Sequence, residues 1–236
     1  MSAGQGARTG AGQGARTGAG LGARTGAGPG TPADRVTVVL VRTGRVDAAT
    51  ARARVLSAAA EELGSPRPLR LAHEPGGRPL LRGFGPRVRV SLSHGRGYAA
   101  LAVGTHGPLG VDVEVVRPVP AERLAARWFT AAEADWIGRR RPGERAGAYF
   151  WVWTQKEAAG KAHGTGLSTR ALRAPVPLPE RWPPAGDGLR LRRTPDGLCR
   201  GGRIPVPGVV LALATVAGRT PAPPVDLRLR LDVHPG

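Results

Sequence analysis

The protein has 236 residues, of which 41% are hydrophobic, and 35 lysine and arginine side chains stand against 17 aspartates and glutamates. The formal charge of +18 favours polyanionic partners such as nucleic acid, coenzyme phosphates or acidic proteins. No apolar run approaches the roughly 18–20 residues that a membrane span needs, and no leader precedes the chain, so we expect a cytoplasmic protein without a membrane partner.

The chain begins with a low-complexity segment. Residues 4–27 repeat the unit Gly-Gln-Gly-Ala-Arg-Thr-Gly-Ala three times, with Leu21 replacing Gln in the last copy. Because Leu21 is its one large apolar side chain, the segment cannot offset the entropy lost on ordering. We predict a disordered, dispensable tail over residues 1–30, although its arginines could contact an anionic partner.

The pattern of the remaining chain predicts an α+β fold made of two similar halves, residues 31–117 and 118–236. Elements predicted in the first half are a strand over 36–41, a helix over 47–63 capped by Asp47 and Gly64, and strands over 88–92, 98–103 and 109–116. Elements predicted in the second half are helices over 121–140 and 146–162 and strands over 189–193, 209–216 and 225–233. Such a duplication places a ligand cleft at the seam between the halves.

Aromatic residues are concentrated in the two helices predicted for the second half. Seven of the ten lie between residues 128 and 153. Because aromatic side chains bury large areas, we expect this group to form the core of that half. Trp153, at its end, is also expected to form a wall of the functional site.

Two residue types are scarce. Cys199 is the single cysteine, which excludes an intramolecular disulfide and a zinc site built from cysteines. Lys156 and Lys161 are the only lysines, and the other 33 cations are arginines. Since lysine carries a compact ammonium and arginine a planar fork, this clustering indicates a place where an ammonium is required.

Paired carboxylates mark the strand predicted over residues 109–116. Asp112 and Glu114 lie two residues apart, so both side chains point to the same face of the strand. Like charges on an otherwise apolar strand repel each other, and a hard divalent cation such as Mg²⁺ resolves the conflict. The alternative is a solvated face on which arginines neutralise both groups.

A second constellation lies on the helix predicted over residues 146–162. Trp153, Glu157 and Lys161 are four residues apart and share one helical face. Glu157 and Lys161 could form a helix-stabilising ion pair worth about 0.2–0.5 kcal/mol. Gly160 favours a functional interpretation, because glycine weakens a helix interior and indicates a close approach at that point.

Two turns could present groups to an anion. Ser93 and His94 end a strand and precede a glycine-rich turn whose backbone N–H groups suit a phosphate. A Ser–His hydrolase is disfavoured, since adjacent strand residues point to opposite faces and no acidic partner is evident. Arg78 lies in a second turn, Gly-Gly-Arg-Pro, where a plain surface turn is the alternative.

The order of these motifs resembles that of the 4′-phosphopantetheinyl transferases, in particular the larger surfactin-synthetase-activator type. The motifs are Gly-Arg-Pro at 77–79, Val-Ser-Leu-Ser-His at 90–94, Gly-Val-Asp-Val-Glu at 110–114, Trp-Phe-Thr-Ala-Ala-Glu at 128–133 and Trp-x-x-Lys-Glu-x-x-x-Lys at 153–161. The likeness spans about residues 50–170, and its most specific boxes are the third and the last. It implies a monomeric pseudo-dimer.

The resemblance implies transfer of the phosphopantetheine arm of coenzyme A to a serine of an apo acyl or peptidyl carrier protein. Asp112, Glu114 and Glu157 would then hold Mg²⁺, or Mn²⁺, on the pyrophosphate. Glu157 would also help to deprotonate the serine, and Lys161 would neutralise the transferring phosphate. These roles agree with phosphoryl-type transfer, which depends on positioning and on charge stabilisation.

The same resemblance assigns coenzyme contacts to residues spread over both halves. They are Arg54, Arg78, Ser93, His94, Lys156 and Lys161. Carrier proteins of this kind are acidic, so the basic surface would speed their encounter. Two alternatives remain at this stage: a basic nucleic-acid-binding protein, which explains neither the three carboxylates nor the lysine pair, and a non-catalytic relative that docks carriers.

Overall fold

The computed structural model describes residues 35–85, 87–105, 107–184, 191–193, 198–202, 206–216 and 222–231. The predicted tail over residues 1–30 lies outside them, as do residues 189 and 190 of one predicted strand and residues 232 and 233 of another. The α+β class is confirmed. Within the described residues, no helix is both long and apolar enough to cross a membrane.

One four-stranded sheet combines three strands from the first part of the chain with one from its end. Its strands are β1 (Val36–Arg42), β4 (Arg89–Gly95), β5 (Tyr98–Gly104) and β10 (Val225–Arg230), in the order β10-β1-β5-β4. Strand β10 runs parallel to β1, whereas the other pairs are antiparallel. The strands predicted over 36–41, 88–92 and 98–103 are confirmed in this sheet, but β10 comes from the end of the chain. A boundary at residue 117 therefore does not separate the two sheets cleanly.

Helix α1 (Ala48–Glu62) covers one face of this sheet. It begins as predicted, with the Asp47 carboxylate accepting a hydrogen bond from the Thr50 N–H at 2.8 Å. The C-cap is Leu63, one residue before the predicted Gly64, and Gly64 follows it with φ of +60°. Glu62 pairs with Arg230 of β10 at 2.5 Å, which fastens the end of the chain to this helix. A short hairpin, β2 (Leu71–His73) and β3 (Pro79–Leu81), follows α1.

A second four-stranded sheet joins one strand from before residue 118 to three strands from after it. Its strands are β6 (Leu109–Val115), β7 (Arg192–Arg193), β8 (Leu198–Gly202) and β9 (Val209–Val216), in the antiparallel order β6-β9-β8-β7. The two sheets share a core to which β1 contributes alternate residues, Val36, Val38 and Leu40. Val39 and Val41 face the α1 side instead. This alternation explains why β1 is apolar on both faces.

Four helices follow β6: α2 (Ala121–Trp128), α3 (Ala131–Gly138), α4 (Pro142–His163) and α5 (Thr169–Arg173). The prediction of one helix over residues 121–140 was wrong, because helix α2 ends at Trp128 and a separate helix, α3, begins at Ala131. Thr130 starts α3 with a capping box, in which its hydroxyl accepts from the Glu133 N–H and the Glu133 carboxylate accepts from the Thr130 N–H. Such a cap is a sequence signal for a helix start. The predicted aromatic core is confirmed, with stacked rings of Phe129 and Tyr149 at 5.1 Å.

Helix α4 lies directly on strand β6, and a glycine makes this possible. A Cβ at Gly110 would overlap the Ala158 carbonyl oxygen and lie 2.6 Å from the Ala162 nitrogen. Gly160 has a similar role, because a Cβ there would overlap the Gly166 carbonyl oxygen. The close approach predicted at Gly160 is therefore made by the chain itself. Together these contacts bring the polar face of α4 against the carboxylates of β6.

Candidate active site

Asp112 lies at the centre of the polar cluster between β6 and α4. Its side chain is 7% exposed, and its Oδ1 accepts hydrogen bonds from Lys161 Nζ at 2.8 Å and from Ser93 Oγ at 2.7 Å. The other oxygen, Oδ2, is buried and has no hydrogen-bond partner among the described residues. A buried carboxylate oxygen without a donor is costly, so this atom is suited to a ligand.

Lys161 crosses from α4 to β6. Besides Asp112, its ammonium donates to the Val111 carbonyl oxygen at 3.0 Å. The ion pair that Lys161 makes among the described residues is with Asp112 and not with Glu157, so the helix-stabilising pair does not explain their spacing. The compact ammonium fits between a main-chain carbonyl and a carboxylate, as the scarcity of lysine in this chain suggested.

The pKa values of Glu157 and Glu114 are both raised in this cluster. Burial raises the pKa of Glu157 to about 7, the charges of Asp112 and Glu114 add to this rise, and Lys161 opposes it. Burial also raises the pKa of Glu114, against the lowering effect of its bond to Arg117. The three carboxylates thus lie close enough to disfavour one another's charge, and a bound cation would relieve this repulsion.

Glu114 is held from two sides. Arg117 Nη1 donates to its Oε2 at 2.9 Å, and the guanidinium also stacks 4.5 Å from the centroid of the Phe150 ring. Trp153 lies near the same carboxylate, and hydrogen bonding by its side chain lowers the pKa of Glu114. Trp153 therefore borders the carboxylate cluster, in agreement with the expectation that it forms a wall of the site.

The donor set fits Mg²⁺ in part. Among the described residues no three His, Cys, Asp or Glu side chains form a ready-made metal cage. Mg²⁺ does not require one, because it is usually held by one or two carboxylates and completes its shell with water and substrate phosphates. The free Oδ2 of Asp112 and the half-buried carboxylate of Glu157 offer hard oxygen ligands of this kind.

A basic cleft of about 310 Å³ leads to this cluster. It lies between α1, the β2–β3 hairpin, strand β4 and the end of α4, so distant segments of the chain form its walls. Its cationic lining consists of Arg52, Arg78, Arg89 and Lys161. Arg78 Nη2 also donates to the His163 carbonyl oxygen at 2.8 Å, which joins the hairpin to the end of α4. A cleft of this charge suits a phosphate-bearing ligand.

Comparison with known proteins agrees with this arrangement. Residues 108–191 match the model of the 4′-phosphopantetheinyl transferase superfamily. The chain is 32% identical to the L-aminoadipate-semialdehyde dehydrogenase-phosphopantetheinyl transferase of Eremothecium gossypii over 207 residues, which are 84% of this chain and 73% of that protein. The chain belongs to the 4′-phosphopantetheinyl transferase superfamily. The resemblance seen in the sequence is therefore confirmed.

Two bacterial relatives match shorter parts of this chain. The 4′-phosphopantetheinyl transferase psf-1 of Bacillus pumilus is 34% identical over 125 residues, which are 52% of this chain and 49% of the relative. The 4′-phosphopantetheinyl transferase HetI of a Nostoc species is 30% identical over 142 residues, 57% of this chain and 59% of the relative. The chain spans about half the length of several curated relatives that it matches.

Some residues that the family resemblance implied for coenzyme A lie away from the cleft. Ser93 is 7% exposed and bonded to Asp112, and the adjacent His94 is exposed on the opposite face of β4. Arg54 on α1 donates to the Thr43 carbonyl oxygen at 2.6 Å. Of the implied coenzyme contacts, Arg78 and Lys161 line the cleft.

The assignment of Lys156 to the coenzyme pocket needs correction. Its side chain is fully buried and pairs with Glu133 Oε2 at 2.8 Å, while its ammonium also donates to the Ala174 carbonyl oxygen at 2.6 Å. Five residues along a helix correspond to a rotation of about 140°. Lys156 and Lys161 therefore point to different sides of α4, and Lys156 belongs to the core.

Sequence reasoning gave no role to four residues that the structure brings to these sites. Arg52 and Arg89 line the cleft, Arg117 pairs with Glu114, and Glu133 forms the buried ion pair. A signal existed for Arg89, since it lies two residues before Ser91 and so shares its face of β4. For Arg52 and Glu133 the decisive contacts are made with distant segments, so local spacing could not identify them.

Proposed function

We propose that this protein transfers the 4′-phosphopantetheine arm of coenzyme A to a serine hydroxyl of an apo acyl or peptidyl carrier protein. The observation that carries this proposal is the Asp112–Lys161 pair, with its free Oδ2, at the end of a basic cleft. Coenzyme A carries phosphates that suit the cleft, and family membership points to the same chemistry.

Asp112, Glu114 and Glu157 would hold Mg²⁺ or Mn²⁺. When bound, the metal would neutralise charge on the pyrophosphate and stabilise the charge that develops during transfer. In the protein itself, Arg52, Arg78 and Arg89 would bind phosphate groups of the coenzyme along the cleft. Arg117 and Trp153 would keep Glu114 directed toward the other two carboxylates.

The transfer step needs one proton acceptor and one cation. The serine oxygen of the carrier would attack the β-phosphorus of coenzyme A, and the bond from this phosphorus to the bridging oxygen would break. Adenosine 3′,5′-bisphosphate would leave with the bonding electrons. Glu157, whose pKa is about 7, suits the acceptance of the serine proton near neutral pH. Lys161 would stabilise negative charge on the transferring phosphoryl group.

The proposed architecture is a monomer of two similar halves, residues 31–117 and 118–236. Two observations support it: the described strands form two four-stranded sheets, and each sheet carries a long helix on one face. The acidic surface of a carrier protein would be attracted to this strongly basic chain.

The deciding experiment is intact-mass spectrometry of several apo carrier proteins after incubation with this protein, coenzyme A and Mg²⁺. We expect a mass gain of one phosphopantetheine that is lost with EDTA and with Asp112→Ala. A folded protein that modifies no carrier in the set would contradict the proposed activity, and salt-sensitive binding of oligonucleotides would then favour a nucleic-acid partner.

A further inference from the structure

The two sheets meet edge to edge beside the candidate active site. Strand β4 forms one edge of the first sheet, and β6 forms one edge of the second. The two strands lie against each other although they belong to different ladders. Each edge therefore presents main-chain groups that need partners in the seam.

Two serines on β4 supply partners for the N–H groups of β6. The Val111 N–H donates to Ser91 Oγ at 3.0 Å, and the Val113 N–H donates to Ser93 Oγ at 3.4 Å. Both serines are buried, with 4% and 7% exposure. Their hydroxyl oxygens take the place that carbonyl oxygens have in an ordinary ladder.

Ser93 has a second contact, with Asp112. A serine hydroxyl has one proton, and here the Val113 N–H occupies an acceptor position on its oxygen. The proton of Ser93 is therefore directed to Asp112 Oδ1, at 2.7 Å. Because Lys161 contacts the same Oδ1, the carboxylate is held in one orientation. Its Oδ2 is then the oxygen that stays free.

We infer that Ser93 is a positioning residue for Asp112, and that through it the first sheet sets the orientation of a metal-binding carboxylate on the second sheet. This inference rests on the proposed metal site. It replaces the coenzyme contact that the family resemblance implied for Ser93. Ser91 has the same place in the seam without contacting a carboxylate in the described contacts, so it is a matched control.

The test is the affinity of the full-length protein for Mn²⁺ in the absence of coenzyme A, measured by electron paramagnetic resonance. Loss of a group that orients a metal ligand typically weakens metal binding about 10–100-fold. Since Lys161 still holds Oδ1, we expect Ser93→Ala to weaken Mn²⁺ binding about tenfold, at the low end of that range. Ser91→Ala should change it less than about twofold, because both variants disturb the seam but only one frees Asp112.

Conservative variants separate positioning from general damage to the fold. Ser93→Thr keeps the hydroxyl and suits a strand, so it should restore Mn²⁺ affinity. If Ser93→Ala does not fold, Ser93→Cys gives the same comparison with a weaker donor. Equal Mn²⁺ affinity in the wild type, Ser93→Ala and Ser91→Ala would overturn the inference.

The alternative role of Ser93 gives a different result. If Ser93 binds coenzyme A directly, Ser93→Ala would raise the KM for coenzyme A and leave Mn²⁺ affinity unchanged, which would also overturn the inference. Failure of the proposed function is distinguishable, because it would appear as an absence of transfer by the wild-type protein. A wild-type protein that binds no Mn²⁺ would overturn both the metal site and the role of Ser93.

Discussion

Helix α4 forms two lysine–carboxylate ion pairs that have the same length but differ in solvent exposure and in hydrogen-bond partners. Lys156–Glu133 and Lys161–Asp112 both measure 2.8 Å. In the first pair both side chains are at most 2% exposed, and Glu133 accepts further hydrogen bonds from the Thr130 and Val176 N–H groups. In the second pair the lysine is 29% exposed beside the cleft, and Asp112 keeps one oxygen without a donor.

The difference shows which pair supports the fold and which offers a site. Both oxygens of Glu133 accept hydrogen bonds, so that carboxylate organises the start of α3 and its junction with the segment after α5. Asp112 has a free oxygen and two neighbouring carboxylates, and its environment therefore favours a bound cation. Ion-pair distance alone does not separate the two cases. Solvent access and the number of satisfied oxygens do.

We call Lys161–Asp112 the open pair, because it lies beside the cleft. The largest expected effect comes from removing its carboxylate. Asp112→Ala should lower carrier modification by about a thousandfold or more, because metal and cation would lose their shared ligand. Asp112→Asn, which keeps the shape but not the charge, should lose nearly as much. Mass spectrometry gives the rate, and circular dichroism shows whether each variant is folded. Near-normal rates in either variant would refute the role of Asp112.

We call the buried Lys156–Glu133 pair the closed pair. Breaking it should affect the stability of the fold instead of the activity. Lys156→Met leaves the buried Glu133 carboxylate without its cation, which should lower the free energy of unfolding by about 3–5 kcal/mol. Urea denaturation measures this loss, and activity per folded molecule should be unchanged. Adding Glu133→Gln should recover much of the stability, because the uncompensated charge is then removed. A fully stable Lys156→Met protein would contradict the structural role of the pair.

Removing the ammonium of the open pair should slow the chemical step. Lys161→Ala should lower kcat about 100-fold or more, while the KM for coenzyme A rises less, if Lys161 stabilises the transferring phosphoryl group. Steady-state kinetics separates the two constants. Lys161→Arg retains the charge in a planar fork and should recover part of the rate. A raised KM with an unchanged kcat would assign Lys161 to ground-state binding only.

The cleft beside the open pair should respond mainly in binding. Arg78→Ala should raise the KM for coenzyme A about tenfold, the scale of one hydrogen bond to a charged group, with little change in kcat. Isothermal titration with coenzyme A gives an independent measurement. Arg82→Ala provides the control, because Arg82 is an exposed arginine just after the same hairpin. Equal effects of the two substitutions would point to general surface charge and not to a specific contact.

The smallest expected effect concerns the capping box that Glu133 shares with Thr130. Thr130→Ala removes one of its two hydrogen bonds and should lower the free energy of unfolding by about 1 kcal/mol. Thr130→Ser keeps the capping oxygen and should be close to the wild type. Urea denaturation of both variants measures the difference. A loss as large as that of Lys156→Met would mean that the cap, and not the ion pair, holds this region together.

Features that depend on local periodicity could be predicted from the sequence alone. Alternation along a strand placed Asp112 and Glu114 on one face of β6, and helical spacing placed Trp153, Glu157 and Lys161 on one side of α4. Asp47 was identifiable as a helix cap from its residue type and position. The order of the motifs was sufficient to predict the family and the α+β class of the fold.

Which of these faces contact each other depends on how distant helices and strands pack in the tertiary structure. Spacing could not distinguish the buried Lys156 from Lys161 at the cleft, because that depends on Glu133, 23 residues earlier in the chain. The bond from Ser93 to Asp112 joins strands of different sheets, and the close packing at Gly110 depends on helix α4. Periodicity fixes the direction of a side chain relative to its own element, whereas its partner is set by how distant elements pack.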